Sequence, residues 1–273
     1  MAVAAVALAA LARAAPLADG LLFNGNFDSG TYKPWELPQC ANYGHPNTTR
    51  TFGNFYVTTS LVGQGRYSGR FQVPTDQNHL TRCQLLARRT VNVGADEYYS
   101  LMLYLPKGWS AGTNGFWGAE ILNLNWEGMP GAPVDLQAHE DHVTLTLNTG
   151  TCGRPCQYRS NADAPKPNLP PLYAIPRPMQ LGVWHELILH VHWATDSTGL
   201  VAAWHRLKGK RLWKRTAYLT GFPTLMVDPT GWYPTNTADK IGVYRAQSFA
   251  PTSVWLDAFS RSDSFASAAA NLP

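Results

Sequence analysis

Asp239-Lys240-Ile241-Gly242-Val243-Tyr244-Arg245-Ala246-Gln247 is the stretch on which the reading of the chain turns. Read as a strand, its side chains alternate between faces, so Ile241 and Val243 point one way and Lys240, Gly242 and Tyr244 the other. An ammonium and a phenol then share a face. Gly242 between them is expected to leave open space above the sheet, where a ligand can approach the backbone.

Two further stretches repeat the pattern. In Arg82-Cys83-Gln84-Leu85-Leu86-Ala87-Arg88 the alternation sets Arg82, Gln84 and Arg88 against Cys83, Leu85 and Ala87. In Ile121-Leu122-Asn123-Leu124-Asn125 it sets Asn123 and Asn125 against Leu122 and Leu124. Laid side by side, the three strands make one wall of cations and hydrogen-bonding groups over an apolar floor.

The rest of the chain supports an all-β frame for that wall. From Gly20 onward, short alternating runs rich in aromatic and β-branched residues are separated by Gly, Pro and Asn clusters, the pattern of a β-sandwich or jelly roll. With 273 residues, 45% hydrophobic and 15% charged, the composition is globular and excludes a disordered chain. No repeat or Ser/Gly linker divides it, so one domain is expected over 20–262, followed by a tail, 263–273, that frays. Met1 to Ala15 is almost wholly Ala, Val and Leu, with a small-x-small site at Ala12-Arg13-Ala14. It reads as a secretory signal peptide too short to span a membrane, although it lacks basic residues ahead of its apolar run.

Four cysteines fit an oxidising, extracellular setting. Cys152 and Cys156 are spaced to close a small loop, which leaves Cys40 for Cys83; geometry decides the pairing. A formal net charge of +4 mildly favours an anionic partner. There is no basic stripe of the kind that tracks nucleic acid, and neither nucleic acid nor a membrane is expected as a partner.

Lys240-x-Gly242-x-Tyr244 resembles the Lys-x-Gly-x-Tyr strand of the jelly-roll polysaccharide lyases, the group that holds alginate, glucuronan and heparin lyase I-like enzymes. Arg82-Cys83-Gln84-Leu85 is similar to their Arg-Ser/Thr-Glu-Leu strand, and Asn123-Leu124-Asn125 sits where many members carry Gln-x-His. Gly182 to Trp193 resembles a Trp-His strand of the heparin lyase-like branch. The likeness runs over about residues 21 to 262. It implies a concanavalin A-like β-jelly roll, two antiparallel sheets, acting as a secreted polysaccharide lyase on a uronate-containing chain.

Such lyases break the chain by β-elimination. Donors must take up the charge that grows on the C5 carboxylate as the proton beside it leaves, and Arg82, Gln84, Asn123 and Asn125 are donors of that kind. A base must remove the C5 proton and an acid must protonate the leaving O4. The resemblance gives the acid to Tyr244, with Lys240 placed to favour its phenolate and to hold an acidic sugar. Asn125 stands where relatives commonly carry His, and an amide is no base. Three readings follow: Tyr244 acts as both base and acid, His79 or His45 supplies the base, or the cleft has kept binding and lost catalysis. Arg88 joins the binding groups, and Trp117, Trp126, Trp232 and Tyr233 are candidates for stacking on sugar rings.

The remaining histidines read as structural. Ala138-His139-Glu140-Asp141-His142 is better taken as a hydrogen-bonded turn than as a metal site, since it lacks the fixed zinc spacings. His185 is expected to be capped by an acid, and His190 and His192 to face solvent. Trp184, Trp193 and Trp204 are expected in the core. No metal site and no cofactor is expected, a structural calcium ion being left open, and the protein is expected to act as a monomer. The competing class is a non-catalytic carbohydrate-binding jelly-roll protein. A glycoside hydrolase would need two carboxylates on the wall, and the three strands are expected to supply none, Glu120 and Glu127 only flanking one of them.

Overall fold

The structure is a computed structural model, and it describes residues 20–36, 38–43, 50–76, 80–111, 118–126, 132–151, 171–227, 231, 233, 235–245 and 250–273. Early strands are β1 (Leu21–Asn24), β2 (Arg50–Phe52), β3 (Asn54–Thr58), β4 (Ser68–Val73), β5 (Leu80–Thr90) and β6 (Asp96–Tyr104). They are followed by β7 (Ala119–Trp126), β8 (Val134–Ala138), β9 (Val143–Leu147), β10 (Gly150–Thr151), β11 (Tyr173–Ile175) and β12 (Trp184–His192). The last are β13 (Leu200–Leu207), β14 (Lys214–Thr220), β15 (Met226–Val227), β16 (Asn236–Arg245) and β17 (Thr252–Ser262), and a short helix, α1 (Phe265–Ala270), ends the chain.

Two sheets stack face to face. One is eight-stranded, ordered β14-β13-β12-β6-β17-β4-β3 with β1 also on β17; the other is seven-stranded, ordered β11-β9-β8-β7-β16-β5-β2. Within these two sheets neighbours are antiparallel except β2, which runs parallel to β5, and β10 and β15 form a separate parallel pair. The jelly roll expected from the alternating runs is therefore the fold. Between the sheets lies a continuous apolar core that includes Phe55, Phe71, Leu85, Leu101, Leu122, Leu187, Val191, Ile241, Val243 and Phe259. Each comes from the inward face of its strand, by period-2 alternation except where slips in β7 and β17 change the phase.

The core also encloses a charged cluster. Arg89 on β5 reaches Glu97 at 2.6 Å and Asp239 on β16 at 3.5 Å, while Arg261 on β17 holds the same Asp239 carboxylate at 3.2 Å. Trp193 and Tyr99 donate to Glu97 at 2.7 and 2.5 Å. Burial by itself would raise the Glu97 carboxyl, but Arg89 and Tyr99 outweigh it and hold it below the usual range. Paired in this way, the charges tie β16 to the opposite sheet.

The outer face of the eight-stranded sheet is covered by the chain's own end. Ser264 caps α1 by accepting from the Ser267 N–H at 3.2 Å. Ala268 and Leu272 then pack with Met102, Trp184, Ile188 and Ala258, with Trp204 partly buried beside them. The tail expected to fray is thus a helix, because its alanines favour helix and have an apolar surface to cover. Trp193 lies in the inter-sheet core, whereas Trp184 and Trp204 belong to this outer cluster. Among the described residues no helix is long and apolar enough to cross a membrane.

Candidate functional site

Strands β5, β16 and β7 lie side by side in the seven-stranded sheet, so the wall assembles as the alternation requires. Tyr244 is paired with Arg82 and Gly242 with Gln84, while on its other side β16 pairs Lys240 with Asn123 and Tyr244 with Glu120. The Arg82 guanidinium lies over the Tyr244 ring, 4.6 Å from its centroid. Gln84 donates from Nε2 to Asn123 Oδ1 at 3.0 Å, and Asn123 donates from Nδ2 to Glu120 Oε2 at 3.2 Å. Arg82, Gln84, Asn123, Lys240 and Tyr244 are all buried.

The disulfide Cys40–Cys83 forms, and it positions part of the wall. Cys83 faces the core directly beneath Arg82 and Gln84, and the bond brings in the segment before β2. Gln39 bridges to Gln84 through its backbone and accepts from Arg82 at 3.1 Å through Oε1. A neutral acceptor fixes the guanidinium without cancelling its charge.

The structure corrects the expected face of Asn125. The pairing of β7 with β16 slips by one residue between Trp126 and Asn123, a β-bulge in which Asn125 takes φ 55°. Its N–H donates to Asp239 Oδ1 at 3.2 Å, and its Oδ1 accepts from Thr237 at 3.0 Å. Since Asp239 belongs to the charged cluster between the sheets, Asn125 is turned to that side and away from Asn123. The bulge overrides the alternation.

A second slip, between β7 and β8 at Glu120 and Leu122, buries both Ile121 and Leu122 and brings Glu120 onto the wall beside Asn123. Cross-strand from Asn123 stands Asp135 of β8, whose Oδ2 accepts from Asn148 at 3.0 Å. Desolvation, reinforced by the negative charge of Glu120, pushes the Asp135 carboxyl well above the ordinary carboxylate range. The wall therefore does hold carboxylates, contrary to the expectation of none. Asp135 was legible in principle, since Val134-Asp135-Leu136-Gln137-Ala138 alternates cleanly.

Gly242 is required for a different reason than open space. Its φ is +140°, and a Cβ there would fall 2.2 Å from the Cys83 carbonyl oxygen and 2.7 Å from the Gln84 Cα. Glycine lets β16 lie close against β5.

The other candidates are placed as follows. Arg88 is exposed at the margin, 3.4 Å from Glu36. Tyr233 is half-buried and packs on the core. His79, His45, Trp117, Trp232, Glu127 and the Cys152–Cys156 pair lie outside the described residues, as does the side chain of Trp126. His139 and His142 close the turn between β8 and β9, with the His139 N–H donating to the His142 carbonyl at 2.8 Å and the rings stacked at 4.3 Å. Among the described residues no group of three or more His, Cys, Asp or Glu is placed to hold a metal ion. His185 bonds the Gln180 carbonyl and His205, not the expected acid, and His190 and His192 share Asp96.

Fold and wall together define a β-jelly roll bearing a cationic and amide-rich wall across one sheet. The chain belongs to the polysaccharide lyase family, whose model matches residues 27–260. No curated protein sequence matches it. Among solved structures it is similar to an endo-β-1,4-glucuronan lyase from the fungus Trichoderma reesei, at 14% identity and a TM-score of 0.63, covering 91% of this chain and 98% of that one. It is also similar to an alginate lyase from Aplysia kurodai, at 10% identity and a TM-score of 0.56, covering 89% and 99%. A GH131 β-glucanase catalytic domain from Podospora anserina follows at 11% identity and a TM-score of 0.51, covering 89% and 96%. At such identities the likeness carries the fold, which hydrolases share with lyases.

Proposed function

We propose that the protein cleaves a uronate-containing polysaccharide by β-elimination, with Tyr244 as proton donor to the leaving group. The observation that carries this reading is the stacking of Arg82 on Tyr244 within a wall that also holds Lys240, Gln84 and Asn123. A uronate carboxylate against Arg82 and the remaining N–H bonds of Gln84 and Asn123 would have its growing charge stabilised as the C5 proton leaves. The electron pair of that C–H bond forms the C4=C5 double bond, the C4–O4 bond breaks, and O4 takes a proton from the Tyr244 hydroxyl.

Asn125 is occupied by Thr237 and Asp239, so it takes a supporting role in the bulge and not a place beside the sugar. Tyr244 then serves as base as well as acid. This requires the C5 proton and O4 to lie on the same side of the ring, so that the Tyr244 phenolate takes the C5 proton in the first transfer and the phenol so formed gives it to O4 in the second. The Arg82 guanidinium over the ring steadies the negative charge that the phenol oxygen bears before the first transfer and again after the second. The disulfide fits an oxidising compartment, and with the apolar first fifteen residues it supports export from the cell.

The test is the ultraviolet absorbance of the unsaturated uronate on polyglucuronate, alginate and heparin-like chains, with wild type and Tyr244→Phe. A rise that the variant loses supports the reading. New reducing ends without that absorbance would favour hydrolysis instead, a reading that rests on Glu120 and Asp135 sharing the wall, the Asp135 carboxyl pushed up by burial. Retention on the polymer without any product would point to the binding class.

A further inference from the structure

A second feature lies on the other sheet, in the β13–β14 hairpin. Six of the chain's 22 Lys and Arg residues fall at Arg206, Lys208, Lys210, Arg211, Lys214 and Arg215, and no Asp or Glu occurs from Ser197 to Val227. Arg206 is neutralised by Glu186, buried beneath it. Among the described residues none of the other five forms an ion pair, and all five are exposed. Charge of one sign without compensation is unfavourable to keep in one hairpin, and it raises the local concentration of polyanions.

The hairpin also carries aromatic faces and a hollow. Arg206 lies 4.3 Å from the Trp213 ring centroid and Arg215 lies 4.8 Å from that of Tyr218, which is 49% exposed. A pocket of about 660 Å³ is lined by Gln180, Val183, Trp184, Leu207, Lys208 and Lys210, with Gly209 at the turn. Trp184 is 7% exposed, and its indole N–H is buried without a hydrogen-bond partner. A buried donor left unsatisfied is unfavourable unless something supplies an acceptor.

We propose that this pocket and the basic hairpin form a second, non-catalytic site for an anionic polysaccharide. Carboxylate or sulfate groups meet Lys208, Lys210, Arg211, Lys214 and Arg215, an aromatic face takes the apolar side of a sugar ring, and a sugar oxygen accepts from Trp184. An anionic membrane is the less fitting partner, because Leu212 is the one exposed large aliphatic side chain of the hairpin. The site stands apart from the wall. β14 is the edge of the eight-stranded sheet, and the wall is centred on β16, four strands in from β11 at the edge of the other sheet. A long polymer would be held at the hairpin while another stretch of it occupies the wall, which raises its effective concentration there.

The experiment compares the full chain with Lys208→Glu/Lys210→Glu, both in the exposed turn, and separately with Trp184→Phe. Retention on immobilised heparin and on immobilised polyglucuronate is read by salt elution, and vesicles containing phosphatidylserine are sedimented in parallel. The charge-reversed variant should elute at distinctly lower salt, with an apparent Kd for the polymer about tenfold higher. Trp184→Phe should lose affinity for oligosaccharide at unchanged far-ultraviolet dichroism. Where product is measured, KM should rise for long polymer and stay the same for fragments too short to span both sites. Equal elution salt for wild type and the charge-reversed variant, or a loss confined to vesicles, would overturn the proposal. The binding arms do not depend on turnover, so a failure of the lyase reading leaves them decisive.

Discussion

The guanidinium of Arg82 lies 4.6 Å from the centroid of the Tyr244 ring, and the two residues are direct cross-strand partners on β5 and β16. A planar cation over a phenol, itself held by Gln39, is oriented in a way an ammonium on a flexible stem is not. Arg82→Lys should therefore keep the fold and lower kcat for elimination by about 100-fold, with KM changed much less. Steady-state kinetics on the responsive polymer checks this. An unchanged kcat would mean that charge alone suffices and that the stack has no part in the chemistry.

Gly242 sets how closely those strands approach. A methyl group there would meet the Cys83 carbonyl oxygen at 2.2 Å and the Gln84 Cα at 2.7 Å, both backbone atoms, at a φ of +140° that side chains rarely adopt. Gly242→Ala should cost about 3 kcal/mol or more in unfolding free energy, since neither neighbour yields by a rotamer change. Urea unfolding measures it. A loss below about 1 kcal/mol would show that β5 and β16 part without penalty.

The wall on β5 and β16 was legible because these two strands pair with each other without a slip over the whole stretch, so Lys240, Tyr244, Arg82 and Gln84 follow from period-2 alternation. β7 was not, because it contains two slips of register. One brings Glu120 alongside Asn123 and the other takes Asn125 to the inter-sheet side. A bulge is a tertiary accommodation with no local marker in Ile121-Leu122-Asn123-Leu124-Asn125. Asp135 lay in a strand that alternates as plainly as β5, but its place on the wall depends on β8 being the neighbour of β7. The terminal helix had a signal in Ser264 ahead of an Ala-rich run, yet six residues form a helix only against a surface such as Met102 and Ile188, which the sequence does not announce.

Asp239 is the residue through which the far sheet acts on the site. Its carboxylate takes Arg89 and Arg261 on one side and the Asn125 N–H on the other. Removing that charge leaves Glu97 alone to offset the guanidinium groups of Arg89 and Arg261, so Asp239→Ala should destabilise the fold by about 3–5 kcal/mol. Asp239→Asn keeps an acceptor for Asn125 and should fold better than the alanine variant. Its elimination activity should nonetheless fall, because a loosened bulge shifts Asn123. Denaturant unfolding and kcat, measured on both variants, check this. Wild-type stability in Asp239→Ala would show that the cluster is energetically neutral.

Asp257 gives the protein a stability term that weakens as pH rises. Its buried carboxyl accepts the N–H groups of Gly63 at 3.0 Å, Gln64 at 2.9 Å and Ala258 at 2.8 Å. Desolvation nonetheless prevails over these bonds and, with some help from the negative charge of Asp28, pushes the group from an ordinary 3.8 up to about 6. Between those two values the folded protein holds a proton that the unfolded chain has released. The contribution is thus fully present below about pH 4 and is lost as pH rises through about 6. A shift of about two units corresponds to at most about 3 kcal/mol. Asp257→Asn keeps an acceptor oxygen for the Gly63–Gln64 turn and removes the titration. Wild type should therefore lose stability relative to Asp257→Asn across that window, by up to that amount, in urea titrations run at a series of pH values. A difference that stays flat from pH 4 to pH 7 would mean that the Asp257 carboxyl keeps its unfolded-state affinity for protons, with its three N–H partners balancing burial.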